Sequence, residues 1–195
     1  MAEPTDLPSA DPPSAGLPTP AAVIAWWLWL GADRWFVKDF SVDDEIRGRF
    51  GGAYEAAAAG RLAAWEETAE GALALLLVVD QFPRNIFRGS PQAFAADPLA
   101  RAVADRAVAR GFDRAFENPV RRFFYLPLMH SENLADQDRC VALCRAVGDD
   151  EGVHHAEVHA DIIRQFGRFP HRNVLLGRAT TAEEQAFLDG GGFAG

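Results

Sequence analysis

A chain of 195 residues with 49% hydrophobic content can bury one sizeable core and is too short for two ordinary domains. Its formal charge of −9 and pI near 5.0 argue against a nucleic-acid partner, because an acidic surface repels phosphates at long range. Arginine supplies almost all the positive charge, Lys38 being the lone lysine, and guanidinium forks suit pairing with carboxylates and phosphates.

Residues 1–20 read as a disordered leader, since Pro4, Pro8, Pro12, Pro13, Pro18 and Pro20 break any helix. The leader carries Glu3, Asp6 and Asp11 where a secretion signal needs positive charge. The apolar run from Ala21 to Leu30 is far shorter than the ~20 residues that span a bilayer. Neither export nor a membrane partner is expected, and the location is read as cytoplasmic.

The body, residues 21–189, reads as one all-α domain of helices joined by short loops. Val23, Trp26, Trp27 and Leu30 have helical spacing. Ser41 with Asp44 resembles a capping box opening a helix through Ile46, Phe50 and Tyr54, which Gly60 ends. Thr68 can cap the next helix, whose body from Ala72 to Val79 is apolar on every side. Such a run is a buried strand or a central helix, and its Ala and Leu content favours the helix. Asp97-Pro98 and Asn118-Pro119 each place an N-cap before a proline at the first helical position. Asn133 caps a helix with Cys140 and Cys144 in its apolar stripe, where both read as small core residues. A further helix runs from about Val153 to Phe166 with Val158, Ile162, Ile163 and Phe166 inward. Thr181 and Glu184 form a last capping box, and the glycine-rich residues 190–195 read as a flexible tail. No alternating strand pattern appears.

Three stretches, each containing a proline, break the pattern of apolar core and solvated face: 80–85, 126–132 and 166–173. A proline in or just past a helix leaves the carbonyl four residues back without its donor, here those of Val79, Phe123 and Phe166. On one reading the nearby arginines, asparagines and histidines cap helix ends, with Asp80 paired to Arg84. On the other, the three ends converge on one polar pocket. Asp80, His130, Glu132 and His171 are then the candidates for proton transfer. Arg84, Asn85, Arg168, Arg172 and Asn173 are the candidates for holding a small anionic ligand. A metal is not expected, because arginines crowd the same stretches and repel a cation. No cofactor motif appears either: the glycine pairs lack a following Lys-Ser/Thr, and no Gly-x-Ser-x-Gly elbow exists. His155-Ala-Glu-Val-His159 lacks the glutamate that a zinc-protease motif places directly after its first histidine. His159 shares a face with Ile162 and Phe166 and reads as a hydrogen-bonded core histidine.

The strings DQFPRNIFRG at Asp80–Gly89, PLMHSE at Pro127–Glu132 and FGRFPHRN at Phe166–Asn173 resemble the bacterial domain-of-unknown-function family numbered nine hundred and twenty-four. Arg34-Trp35-Phe36, the helix start at Asp43 and EEQAFL at Glu183–Leu188 support the match, which covers roughly residues 21–193. The resemblance implies an all-helical fold grouped with tetratricopeptide-like proteins, and it implies no activity. A family pattern with an acidic residue in the first helix is departed from at Ala25. The chain shows no period of about 34 residues, the mark of true tetratricopeptide repeats. Two functions follow as alternatives: binding of, or catalysis on, a small anion in the polar pocket, or a tetratricopeptide-like adaptor binding a protein partner, with the polar motifs structural.

Overall fold

The computed structural model of the chain describes residues 16–193, all helices, turns and loops, with no strand among them. Most of the expected leader and the end of the expected tail therefore lie outside the described residues. Thr19 caps the first helix, α1 (Pro20–Leu30), which begins with Pro20 at its first position. After the single turn α2 (Ala32–Trp35) comes the long α3 (Phe40–Ala58). Its cap is Asp39, which accepts from the N–H groups of Ser41 and Val42, so the expected Ser41–Asp44 box does not form. The Ser41 hydroxyl instead donates to Asp39 itself, at 2.6 Å.

Thr68 caps α4 (Ala69–Leu76) as expected, and this helix lies against α1 and the helix over Asp97–Ala109 at the centre of the main core. Every residue from Gly71 to Gln81 is buried. The helix does not run straight to Pro83. Over Leu77–Gln81 it widens into a π turn, and the Phe82 N–H reaches the Leu77 carbonyl five residues back. α5 (Phe82–Ile86) follows with Pro83 in its first turn. Pro127 and Pro170 also lie in first turns, of α7 (Leu126–Met129) and of the 3-10 turn Pro170–Arg172, so neither breaks a running helix.

Two expected caps act differently. Ala96 occupies the cap position of α6 (Asp97–Ala109), and Asp97 turns its carboxylate to two arginines. Asn118 does not open a helix. It donates to the Val147 carbonyl at 3.2 Å, ahead of a 3-10 turn over Val120–Phe124. Asn133 does cap α8 (Leu134–Ala146), which packs against α9 (Asp150–Phe166). Val158 is 36% exposed, because α9 buries Gly152, Ala156, His159, Ala160 and Ile163 at helical spacing and Val158 lies beside that stripe. Thr181 and Glu184 form the expected capping box of α10 (Ala182–Asp189). No helix among the described residues is long and apolar enough to cross a membrane.

Two close fits generate predictions. A methyl group at Gly71 would stand 2.1 Å from the Trp65 carbonyl oxygen. Helix propensity favours alanine over glycine by about 1 kcal/mol, but this backbone clash outweighs it. Gly71→Ala should therefore lower stability by roughly 1–3 kcal/mol in denaturant unfolding, and a stabilised variant would contradict the packing. The buried Arg122 guanidinium grips Asp149 through two bonds of 2.7 and 2.6 Å, while Asp149 also caps α9 through the Gly152 N–H. Asp149→Asn keeps a capping oxygen but removes the buried charge that grips the guanidinium, leaving it only the exposed Glu151. A loss of about 3 kcal/mol or more is expected, and an unchanged unfolding midpoint would contradict it.

Candidate functional site

The π turn places Asp80 under the end of α7, with its side chain only 1% exposed. Both carboxylate oxygens face Nδ1 of His130, at 2.9 and 3.0 Å. Gln81 Nε2 donates to the same carboxylate at 2.5 Å and Arg84 Nη2 at 3.1 Å. Arg84 then reaches Asp97 at 3.0 Å, and Arg172 closes the row on the other oxygen of Asp97 at 3.4 Å. An alternating row results: His130, Asp80, Arg84, Asp97, Arg172. It joins the π turn, the end of α7, the start of α6 and the 170–172 turn, so the three proline stretches do converge.

His130 is held from behind. The buried Gln137 of α8 donates to the carbonyls of Met129 and Ser131, at 2.7 and 2.6 Å, on either side of the histidine. Arg172 is only 6% exposed and lies over the rings of Phe94 and Phe169, at 4.5 and 4.6 Å from their centroids. Its Nε, the Nε of Arg84 and Nδ1 of His171 are buried without a hydrogen-bond partner. Buried donors are paired in the great majority of cases, so this concentration is unusual.

These residues border a cavity of about 640 Å³. Arg84, Asn85, His130, His171 and Arg172 line it, together with Gln81, Arg88 and His159. Trp35, Phe36, Val37, Phe94, Leu126, Met129 and Phe169 give it an extensive apolar wall. Asp80 lies behind the wall and acts through His130 and Arg84. The Phe193 ring packs on His159 and His171, with centroids 4.4 and 5.3 Å away.

Glu132, Arg168 and Asn173 are not on the wall. Glu132 accepts from Arg178, at 2.7 and 3.0 Å, and from the Phe169 N–H. Arg168 and Asn173 both bind Glu184 of α10. These groups brace the turn that carries His171 and Arg172. Asn85 reaches the cavity and also donates to Asp43, a buried carboxylate of α3 that Arg88 grips at 2.6 and 2.8 Å. In the sequence Asp97 and Asp43 stand out only as helix starts, and the aromatic wall only as apolar residues. Acids at helix starts look like caps, and cavity aromatics look like core, so no signal in the pattern marks them.

Burial dominates the electrostatics. It pushes the Asp80 carboxyl up, but His130 and Arg84 outweigh it and hold the group well below the usual carboxylate range. Burial and then Arg84 push the His130 imidazole down against the pull of Asp80. His159 falls to about 4, mainly through burial, and His171 to about 3 through burial and Arg172. Asp97 is raised by burial despite its two arginines. Burial, aided by Arg84, lowers Arg172 to about 10. The wall thus combines neutral histidines with an incompletely compensated guanidinium. Glu151, His155 and His159, spaced four apart on α9, also border the cavity, but no group of acids, histidines or cysteines among the described residues is placed to hold a metal: Glu151 binds Arg122, and Nδ1 of His159 bonds the carbonyl of His155.

The family model described as a bacterial protein of unknown function (DUF924) matches residues 23–192. The solved structure of a protein of unknown function from Agrobacterium tumefaciens is 47% identical, with a TM-score of 0.85 over 88% of this chain and 97% of that one. None of the curated proteins matches the chain. With nearly all the described residues inside the match, the chain belongs to the DUF924 family of bacterial proteins.

Proposed function

We propose that the cavity binds a small molecule with an anionic head, a carboxylate or phosphate, and an apolar body. The observation that carries this reading is Arg172. Its guanidinium is almost fully buried yet lines the cavity, and its one ion pair among the described residues, with Asp97, is long at 3.4 Å. Burying a charge is costly unless it is paired and hydrogen-bonded, and a ligand oxyanion supplies what Arg172 lacks. The flanking aromatic side chains match an apolar body. A resident metal suits the site poorly, since Arg84 and Arg172 stand beside the histidines.

The adaptor reading has one observation in its favour. Phe36 and Val37, 62% and 55% exposed, border the cavity, and Phe40, 67% exposed, follows them in the chain. A protein partner seated there would leave Arg172 out of its binding energy, and mutation separates the two readings.

Calorimetry with 4-phenylbutyrate, phenyl phosphate and the neutral 4-phenylbutanamide tests the proposal. The acids should bind at least tenfold more tightly than the amide, and Arg172→Leu should remove that preference. Equal affinities for acid and amide, or a preference untouched by Arg172→Leu, would overturn the anion reading. Comparing the two acids separates a carboxylate site from a phosphate site.

The histidines add a pH dependence. Folded His159 and His171 titrate near 4 and 3, below the unfolded value of about 6.5. Between those limits the unfolded chain binds protons that the folded chain refuses. Their contribution is therefore complete above about pH 6.5 and is lost as pH falls toward 4. The groups that set it are Arg172, Arg84 and Glu132 around His171, and His130, His155 and Arg172 around His159. The melting temperature should fall between pH 7 and 5, less steeply in His171→Asn. A flat profile would contradict the buried neutral histidines.

A further inference from the structure

We propose that Asp80 and His130 form a general-base dyad that drives water onto the acyl carbon of an anion-bearing ester or amide in this cavity. The inference rests on the anion reading for its substrate class and on separate geometry for its chemistry. Asp80 is fully engaged: its two oxygens take Nδ1 of His130, Gln81 and Arg84. A carboxylate on Nδ1 fixes the tautomer, so Nδ1 carries the proton and Nε2 keeps its lone pair. Nε2 makes no hydrogen bond among the described residues, and the ring lines the cavity. Its open nitrogen therefore meets whatever enters.

The nucleophile must come from outside the chain. No hydroxyl or thiol lies among the lining residues, and the amine of Lys38, which is exposed, lies over the Phe40 ring, 5.2 Å from its centroid. Ser131, next to the histidine, is buried and donates to Asp136, and Cys140 and Cys144 are buried in the core. Water is left as the atom source. As the water oxygen bonds to the acyl carbon, one of its protons passes to Nε2 and the carbonyl electron pair moves onto oxygen. Arg84, held on the same Asp80, supplies positive charge for that oxyanion. Collapse breaks the bond to the leaving oxygen or nitrogen, which takes the proton from Nε2. An acid and an alcohol or amine leave, and His130 returns to its starting form. No oxidant or further reactant is needed. Burial and Arg84 push the imidazole toward the neutral form that a base needs. Asp80 is the positioning residue and His130 the catalytic one.

Release of 4-nitrophenol from mono(4-nitrophenyl) glutarate, which is anionic, and from the neutral 4-nitrophenyl butyrate tests the dyad. Wild type should cleave the anionic ester at least tenfold more efficiently than the neutral one. His130→Gln should lower kcat on the order of a hundredfold. Asp80→Asn should reduce kcat while leaving KM close to wild type, which a purely structural carboxylate would not do. If His130→Gln fails to fold, carbethoxylation of wild type, located at His130 by peptide mass and prevented by 4-phenylbutyrate, should give the same loss. Release no faster than in buffer, or equally fast in His130→Gln, overturns the dyad even where 4-phenylbutyrate binds through Arg172. Cleavage that depends on His130 but shows no preference for the anionic ester supports the dyad and rejects the anion site.

Discussion

The site is organised around one buried carboxylate. Asp80 is almost completely withdrawn from water, and desolvation of an isolated carboxylate would be prohibitive without His130, Arg84 and Gln81. Its place depends on the π turn at Leu77–Gln81. A regular helix would distribute these residues differently around its axis, and the widened turn carries Asp80 to the end of α7. The central helix therefore serves both as the core of the fold and as the support of the site.

From Asp80 the charges alternate outward through Arg84 and Asp97 to Arg172. Each inner member has a neighbour of opposite sign on both sides, and Arg172, at the end of the row, has one. On the proposed reading, a row that ends on a singly paired guanidinium is where a ligand oxyanion would gain most. The braces behind the row are tighter ion pairs. Arg168 on Glu184, Arg178 on Glu132 and Arg88 on Asp43 are each two-pronged ion pairs that hold the surrounding turns. Paired supports around under-paired groups are the arrangement expected of a preorganised pocket.

The all-α class was legible because the apolar residues recur at helical spacing and the caps Thr68, Asn133 and Thr181 stand where helices begin. The convergence of Asp80, Arg84, His130 and Arg172 was one of two readings of the proline stretches, and the pattern alone did not separate it from helix ends that each cap themselves. What could not be read was which polar residue faces the cavity and which braces it. Arg168 and Arg172 stand in the same motif, one tied to Glu184 and the other on the cavity wall. Their difference arises from α10, whose packing no local pattern reveals. Asp97 was hidden because an acid before proline has the form of a cap, and the π turn because a run apolar on all sides carries no phase.

The central claim is that Arg172 anchors an anion while the aromatic wall covers its apolar body. Anomalous diffraction from crystals grown with 4-iodobenzoate tests both halves at once, since the heavy atom marks the body and the density places the carboxylate. The account predicts an iodine peak against the wall formed by Trp35, Phe36 and Met129, with the carboxylate in hydrogen-bond reach of Arg172, and no peak there in Arg172→Leu crystals. An empty cavity, with iodine only at the protein surface, or an iodine position unchanged by Arg172→Leu, would contradict it.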